Sequence, residues 1–310
     1  MTGTPITSKP TDVFTPLYLV GGHTEKSFYM WCQNYCVYGG YGNYEIVGYK
    51  NIQELKHLLQ PNMLRRKKEN VIDLPPKIHH TEYVENTQYQ QNLYNKVKQD
   101  VKLAMKESPR FNIMVQMLSL RQVNGSPELV DHSIEVDDKY ISKNAKLQRL
   151  LQILDEIIQG DEKAVIFSNW VEPLRMLYKF LTKKYKVCCC TGTMTIEDRE
   201  KHKRVFMNNP EYKLMIGTVG AMGTSHTLTA ARNVIFYDSP WNPSEIEQCE
   251  DRCHRAGTTG TVNIYTLITK DTVDEVVHDI LSQKQGTADF IVDNELDPRK
   301  HPEIVDLLLQ

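Results

Sequence analysis

No apolar run among the 310 residues approaches the ~20 consecutive residues that a membrane-spanning helix needs, and the opening residues carry no signal-peptide pattern. Neither sign of charge dominates, with 37 Lys and Arg against 39 Asp and Glu. No global basic field therefore announces a nucleic acid, and any such site must be local. Cysteine is sparse and odd in number, seven in all, and Cys188-Cys189-Cys190 run together in an apolar stretch. That usage argues for reduced thiols and an intracellular setting, cytoplasmic or, in a eukaryote, nuclear. Cys32/Cys36 and Cys249/Cys253 are each four apart, and His254 follows the second pair. A zinc site is conceivable, but the spacing is not the two-residue knuckle, and buried helical cysteines are the expectation. A Gly-x-x-x-x-Gly-Lys-Ser/Thr phosphate loop is missing. So is an Asp-Glu pair closing a strand. Asp155-Glu156 and Asp274-Glu275 both fall inside amphipathic helical patterns.

What is present becomes regular from Ser142 onward. Leu147, Leu150, Leu151, Leu154, Ile157 and Ile158 keep helical spacing up to Gly160. Short apolar runs of strand length follow at 163–168, 186–190, 212–217, 233–237 and 261–268, with helical patterns between them and a last helix over 272–283. Thr195 to Asp198 is capping-box-like. Continuous apolar strands alternating with helices predict an α/β fold around a mostly parallel sheet buried on both faces. Ligands bind at the carboxyl ends of such strands. Polar stretches sit there at Ser168-Asn-Trp170, Thr191-Gly-Thr193, Thr218 to Gly223 and Asp238 to Trp241.

One stretch, Asp238 to Gly257, stands apart. Pro243 and Ser244 read as a helix start, and Gly257 as its stop. On a helix reaching Arg255, Gln248, Asp251, Arg252 and Arg255 share one face. Two guanidiniums side by side suit an anion, and phosphate oxygens match their forks. The alternative is a solvated charged face, weakened because Gln248, four before Arg252, cannot form an ion pair.

Ahead of residue 142 the pattern is less regular. Thr2-Gly-Thr-Pro5 is a tight loop suited to the end of a strand, although no strand precedes it. Phe14, Leu17, Tyr18, Phe28, Tyr29, Trp31 and Tyr35 predict short helices of a small satellite unit. Tyr38 to Tyr44 reads as a glycine-rich turn. Met63-Leu-Arg-Arg-Lys-Lys68 is a basic run open to phosphate contact or to plain solvation. Asp73-Leu-Pro-Pro-Lys77 reads as a rigid extended connector within a linker spanning 61–82. Residues 86–107 and 111–122 predict a helical pair standing out from the main domain, followed by loop over 124–140.

Taken together, these stretches resemble the Swi/Snf family of helicase-like, DNA-dependent ATPases in helicase superfamily two. The residues carrying the resemblance are Gln248 to Gly257, Trp241-Asn-Pro243, Lys213 to Gly223 with Leu228 to Ala231, Val165 to Ser168, Thr191-Gly-Thr193 with Arg199, and Thr2 to Pro5. Met63 to Arg66, Leu74 to Lys77 and Leu120-Arg-Gln122 match the family's connector and helical insertion. The resemblance implies a RecA-like C-terminal lobe over 141–293, a remnant of the first lobe over 1–60, a linker and helical protrusion over 61–140, and a tail over 294–310. It implies ATP with magnesium between two lobes, the metal ligands lying on the first lobe. Arg252 and Arg255 would be arginine fingers, with Gln248 holding the γ-phosphate or the attacking water. Gly223 and Asp251 would lie near the nucleotide. Ser168, Thr191, Arg199 and Thr218 would face the backbone of DNA, expected to be duplex. Thr2, Gly3, Thr4, Pro5, Arg65 and Arg66 would mark the lobe junction.

Two departures stand out. The family usually has glutamine after the last glycine of its final motif, where this chain has Thr258, and Ser225-His226 replace a common glycine and apolar residue. His226 reads as a loop substitution, because no partner to orient it is evident. Without a phosphate loop, the expectation is the C-terminal half of an ATP-driven DNA translocase, inactive alone and completed by a first-lobe polypeptide. The alternative is a non-catalytic nucleic-acid-binding or regulatory module on the same fold.

Overall fold

The computed structural model describes residues 10–39, 41–62, 72–107, 113–223 and 227–288. The chain divides into two compact units, with boundaries at Asp73/Leu74 and at Leu281/Ser282. The smaller opens with a 3-10 turn, Pro10–Val13, leading into helix α1 (Phe14–Leu19). Helix α2 (Phe28–Tyr35) starts at Ser27, whose Oγ accepts the Tyr29 N–H at 3.2 Å. Strands β1 (Cys36–Gly39) and β2 (Glu45–Tyr49) form an antiparallel hairpin. Its turn includes Gly42 at φ +77°, a conformation open to glycine. Helix α3 (Ile52–Leu59) follows. Val13, Leu17, Trp31, Tyr35 and Leu55 close the core. The expected satellite of short helices is thus present, but only part of its aromatic set is interior, since Phe28 and Tyr29 are exposed. Cys36 opens β1 rather than continuing a helix.

The larger unit holds the parallel sheet. Its elements in chain order are β3 (Lys77–Val84), α4 (Gln88–Glu107), α5 (Ile113–Gly125), α6 (Ala145–Gln159), β4 (Ala164–Ser168), α7 (Val171–Leu181), β5 (Lys186–Cys190) and α8 (Ile196–Asn208). They continue with β6 (Tyr212–Thr218), α9 (Val219–Met222), β7 (Asn233–Phe236), α10 (Pro243–Cys253), β8 (Val262–Thr269) and α11 (Val273–Ala288), of which the part up to Leu281 belongs to this unit. The strand order is β3-β8-β7-β4-β6-β5, and every pair is parallel. Side chains alternate between two cores. Ala164, Ile166, Leu214, Ile216 and Ile235 pack against α6 and α7. Val165, Phe167, Met215, Val234 and Phe236 pack against Phe206 of α8, Met222 of α9, and Cys249 and Cys253 of α10. A strand buried on both faces needs apolar residues throughout, which is why these runs are continuous. Gly217 serves close packing between β5 and β6, since a Cβ there would lie 2.3 Å from the Cys190 carbonyl oxygen.

Residues 61–82, expected as a connector, end in a strand instead. Lys77 to Val84 pair in register with Val262 to Thr269, and the segment from Leu74 groups with the larger unit. As an edge strand with Ile78 and Tyr83 both 45% exposed, β3 lacks the apolar run that marks its neighbours. The base of the helical pair is likewise built into the core. The buried Gln90 side chain donates to the Val123 and Asn124 carbonyls at 2.9 and 3.0 Å and accepts the Ala145 N–H at 2.9 Å. It thereby satisfies the last turn of α5 and the first of α6.

Candidate functional site

The carboxyl ends of three adjacent strands form one row. Ser168 pairs with Thr218 across β4 and β6, and Cys190, just before Thr191, pairs with Gly217 across β5 and β6. The sheet thus brings Ser168, Thr218 and Thr191 together. Thr218 caps α9, its Oγ1 accepting the Ala221 N–H at 3.3 Å. The Thr191 and Thr193 hydroxyls share a hydrogen bond at 2.9 Å. Arg199 lies in the first turn of α8, behind the capping box of Thr195 and Asp198, and is half-buried. Ser168 requires a correction, because its side chain is fully buried and does not face outward, whereas Thr191 and Thr218 are mostly buried but keep 6% and 8% exposure at this edge. Its Oγ donates to Asp238 Oδ2 at 2.5 Å, while Asp238 Oδ1 accepts the Asn169 N–H at 2.7 Å. Ser168 therefore shapes this edge from beneath.

Beside this row stands a group that sequence reasoning noted only through the Leu120-Arg-Gln122 resemblance. Arg121 of α5 is buried between the indoles of Trp170 and Trp241, at 5.1 and 4.5 Å from the ring centroids. One fork nitrogen donates to the Ser239 carbonyl at 2.7 Å, and Asn169 Nδ2 donates to the same carbonyl at 2.7 Å. Arg121 Nε lies 3.4 Å from Asp274 Oδ1, and Lys146 Nζ 2.5 Å from Asp274 Oδ2. Asn124 donates to the Thr272 hydroxyl at 3.0 Å. Burial pushes the Asp238 carboxyl up, and the Arg121 guanidinium pulls against that shift. A charged residue inside each buried helical stripe is the sequence signal that finds this network: Arg121 beside Leu120, Lys146 beside Leu147, Asp274 beside Val273.

Helix α10 begins as the sequence implies. Pro243 occupies the first turn, and Asn242 Oδ1 caps it by accepting the Ser244 N–H at 2.9 Å. Its end is different. The helix stops at Cys253, and His254 leaves helical geometry at φ −97°, ψ 81°. Arg255 therefore lies in the following turn and not on the helix face with Gln248, Asp251 and Arg252. The Arg252 Nε donates back to the Gln248 carbonyl at 3.0 Å. Arg255 is exposed and donates to the Thr227 hydroxyl at 3.3 Å. The Leu228 N–H donates to the Arg252 carbonyl at 2.8 Å. Gly223 packs against Val219, where a Cβ would lie 2.6 Å from the carbonyl oxygen and 3.5 Å from Cys249 Sγ.

The expected connector fastens this helix end. His254 Nε2 hydrogen-bonds the Pro75 carbonyl at 2.7 Å, and the Val262 N–H donates to the Pro76 carbonyl at 3.0 Å. Lys77 Nζ pairs with Glu250 at 2.9 Å and with Asp251 at 3.4 Å. Burial draws the Lys77 ammonium down, but Glu250 and Asp251 outweigh it and hold it above its ordinary value. The distal half of α10 thus lies over the amino ends of β3 and β8, away from the Ser168–Thr218–Thr191 row.

Neither acidic pair fits magnesium. Asp274 is committed to Lys146 and Arg121, and Asp155 pairs with Lys184 at 2.5 Å and with the Tyr185 hydroxyl. Among the described residues no group of His, Cys, Asp and Glu is arranged to hold a metal ion. Burial pushes the Cys249 thiol well up and the Cys253 thiol up to about 12, so neither is a ready thiolate. Thr2 to Pro5, Arg65, Arg66, Ser225 and His226 lie outside the described residues. Among the described residues no helix is long and apolar enough to cross a membrane.

Comparison with known proteins matches two family models in succession. Residues 1–129 match the SNF2-related domain and residues 144–257 the helicase conserved C-terminal domain. YwqA of Bacillus subtilis, whose name places it among ATP-dependent helicases and translocases, is 29% identical over 255 residues, 79% of this chain and 27% of YwqA. The chromatin-remodeling ATPase INO80 of Candida glabrata is 31% identical over 159 residues, 51% of this chain and 11% of INO80. The chain thus spans about a quarter or less of these relatives. The SWI2/SNF2 ATPase core of Sulfolobus solfataricus, solved in complex with dsDNA, matches with a TM-score of 0.61 at 24% identity, covering 84% of this chain and 55% of that one. The RecA-like fold read from the parallel sheet is therefore shared with SWI2/SNF2 ATPase structures. With SNF2-related sequence ahead of a helicase conserved C-terminal domain, the chain belongs to the Swi/Snf family of helicase-like proteins.

Proposed function

We propose that this chain is the second-lobe portion of a DNA-dependent ATPase, residues 141–293 forming the RecA-like lobe, and that it acts with a first lobe carrying the phosphate loop. The carrying observation is the end of α10, where Arg255 projects from a fixed turn one residue beyond the helix cap and Arg252 lies on the helix just before it. Guanidiniums so held stabilise the charge of a γ-phosphoryl group as it transfers to water, an effect worth ~10³–10⁵ in rate in nucleotide hydrolases. Gln248 holds the γ-phosphate or the attacking water, and Gly223 and Asp251 border the nucleotide. Asp155 and Asp274 are each already paired with a lysine, and the metal is assigned in this reading to the first lobe. The test is to mix the purified chain with a first-lobe polypeptide containing a Gly-Lys phosphate loop. Hydrolysis that needs both components and DNA supports the proposal. Hydrolysis by the chain alone would refute it.

Thr191, Thr218 and Arg199 contact the DNA backbone, positioning the duplex without reading its sequence. The dsDNA bound in the Sulfolobus structure supports this reading. Closure and reopening of the lobes then steps the protein along the duplex. Arg199→Ala is expected to weaken duplex binding about equally across sequences and to reduce the log K against log salt slope by about 1. Fluorescence anisotropy over a salt series measures both, and an unchanged slope removes Arg199 from the interface.

A further inference from the structure

The departure at Thr258 has a geometric counterpart. Where α10 stops, the Arg255 N–H and the Cys253 carbonyl both lose helical partners. Thr258 Oγ1 serves both: it accepts the Arg255 N–H at 3.1 Å and donates to the Cys253 carbonyl at 2.7 Å. The Thr258 N–H donates to the Arg255 carbonyl at 2.9 Å. Arg255 to Thr258 is therefore a β-turn with Gly257 third, at φ +102°, the position and sign that a type II turn reserves for glycine. Thr258 is buried, while Arg255, Ala256 and Gly257 are exposed. Its hydroxyl is thus a clasp at the root of an otherwise open turn. At the far end the Arg255 fork rests on the Thr227 hydroxyl, so backbone and guanidinium are each held by one threonine.

We propose that Thr258 is a positioning residue: its hydroxyl ends α10 early and aims Arg255 at the nucleotide. This rests on the reading of Arg255 as a finger. The role belongs to a short hydroxyl able to close on two backbone groups at once, and glutamine, the usual residue of the family here, is a longer amide. A misplacement of about 1 Å in such a group costs on the order of 10²-fold in rate. Little of that cost should appear in binding, because the hydrogen bonds of Thr258 among the described residues are to its own turn and helix end.

The test uses the chain combined with its first lobe and compares wild type, Thr258→Val, Thr258→Ala, Thr258→Ser, Arg255→Ala and the double variant Thr258→Val/Arg255→Ala. Valine and alanine, which remove the hydroxyl, are expected to lower kcat by on the order of 10²-fold, with KM for ATP and DNA affinity near wild type. Serine, which keeps the hydroxyl, is expected to restore kcat to within a few-fold. The double variant should be no slower than Arg255→Ala alone, since a residue acting through Arg255 has nothing left to position. Wild-type kcat in both hydroxyl-less variants, or a double variant whose losses multiply, overturns the role of Thr258 while leaving the finger reading intact. An Arg255→Ala variant at wild-type rate overturns the finger reading, and the proposal with it.

Discussion

Arg255→Ala is expected to lower DNA-stimulated ATP hydrolysis by roughly 10³-fold or more once a first lobe is supplied. The residue is exposed, and the hydrogen bond of its side chain is to the Thr227 hydroxyl at the surface. Its removal should therefore leave folding and DNA affinity near wild type. Arg255→Lys should not rescue the rate, because an ammonium keeps the charge but loses the planar fork that matches phosphate oxygens. Single-turnover hydrolysis at saturating DNA separates this effect from nucleotide binding. An unchanged rate would favour the other function class, a nucleic-acid-binding module that retains the fold without contributing to chemistry.

Asp274→Ala should have the largest effect on stability. It leaves Lys146 and Arg121 buried without their shared carboxylate. Breaking a buried ion pair on one side costs about 3–5 kcal/mol, read as a fall in the urea midpoint at unchanged m. The pH dependence has a definite sign. Burial would push the Asp274 carboxyl up, but Lys146 and Arg121 outweigh it and hold it below its ordinary value. A depressed folded pKa contributes stability that is complete above the unfolded value and lost as pH falls through the folded one. Asp238 works the other way, because burial raises it, and protonation on acidification relieves its cost. The substitution should therefore flatten the acid side of the stability profile, and a slope equal to that of the wild type would place the stabilising charge elsewhere.

These two residues mark where sequence is and is not informative. The helices packed on the sheet are legible because burial of one stripe demands a 3.6-residue period, as in Leu147, Leu150, Leu154 and Ile157. The central strands are legible because burial on both faces excludes polar residues. The start of α10 is legible because Pro243 has few roles other than a first turn. Its end is not. Gly257 looks like a helix stop, but a hydroxyl three residues beyond Arg255 competes for the backbone and ends the helix earlier. No local pattern shows that competition, since the helical and clasped forms differ by a few hydrogen bonds. Strand β3 is hidden for another reason. An edge strand buries little, so His79, His80 and Glu82 carry no apolar signal, and the Pro75-Pro76 pair before it suggests a connector. Arg121 and Asp274 lie on helices whose existence is plain, but that they meet depends on the carboxyl edge of the sheet.

The pairing of β3 with β8 also sets an order of assembly. Lys77 and Glu250 are 173 residues apart in sequence, while β4 to β7 are joined by single helices or short loops. Loop closure across so long a stretch is slower than the local βα steps. The central strands therefore can form before the chain's earliest strand of this sheet arrives to complete the edge. Because Pro75, Pro76 and Lys77 arrive with it, the distal end of α10 is fastened only when the sheet is finished. A partly folded chain would hold Arg252 and the turn carrying Arg255 at an untethered helix end, so full anchoring of that end coincides with completion of the lobe.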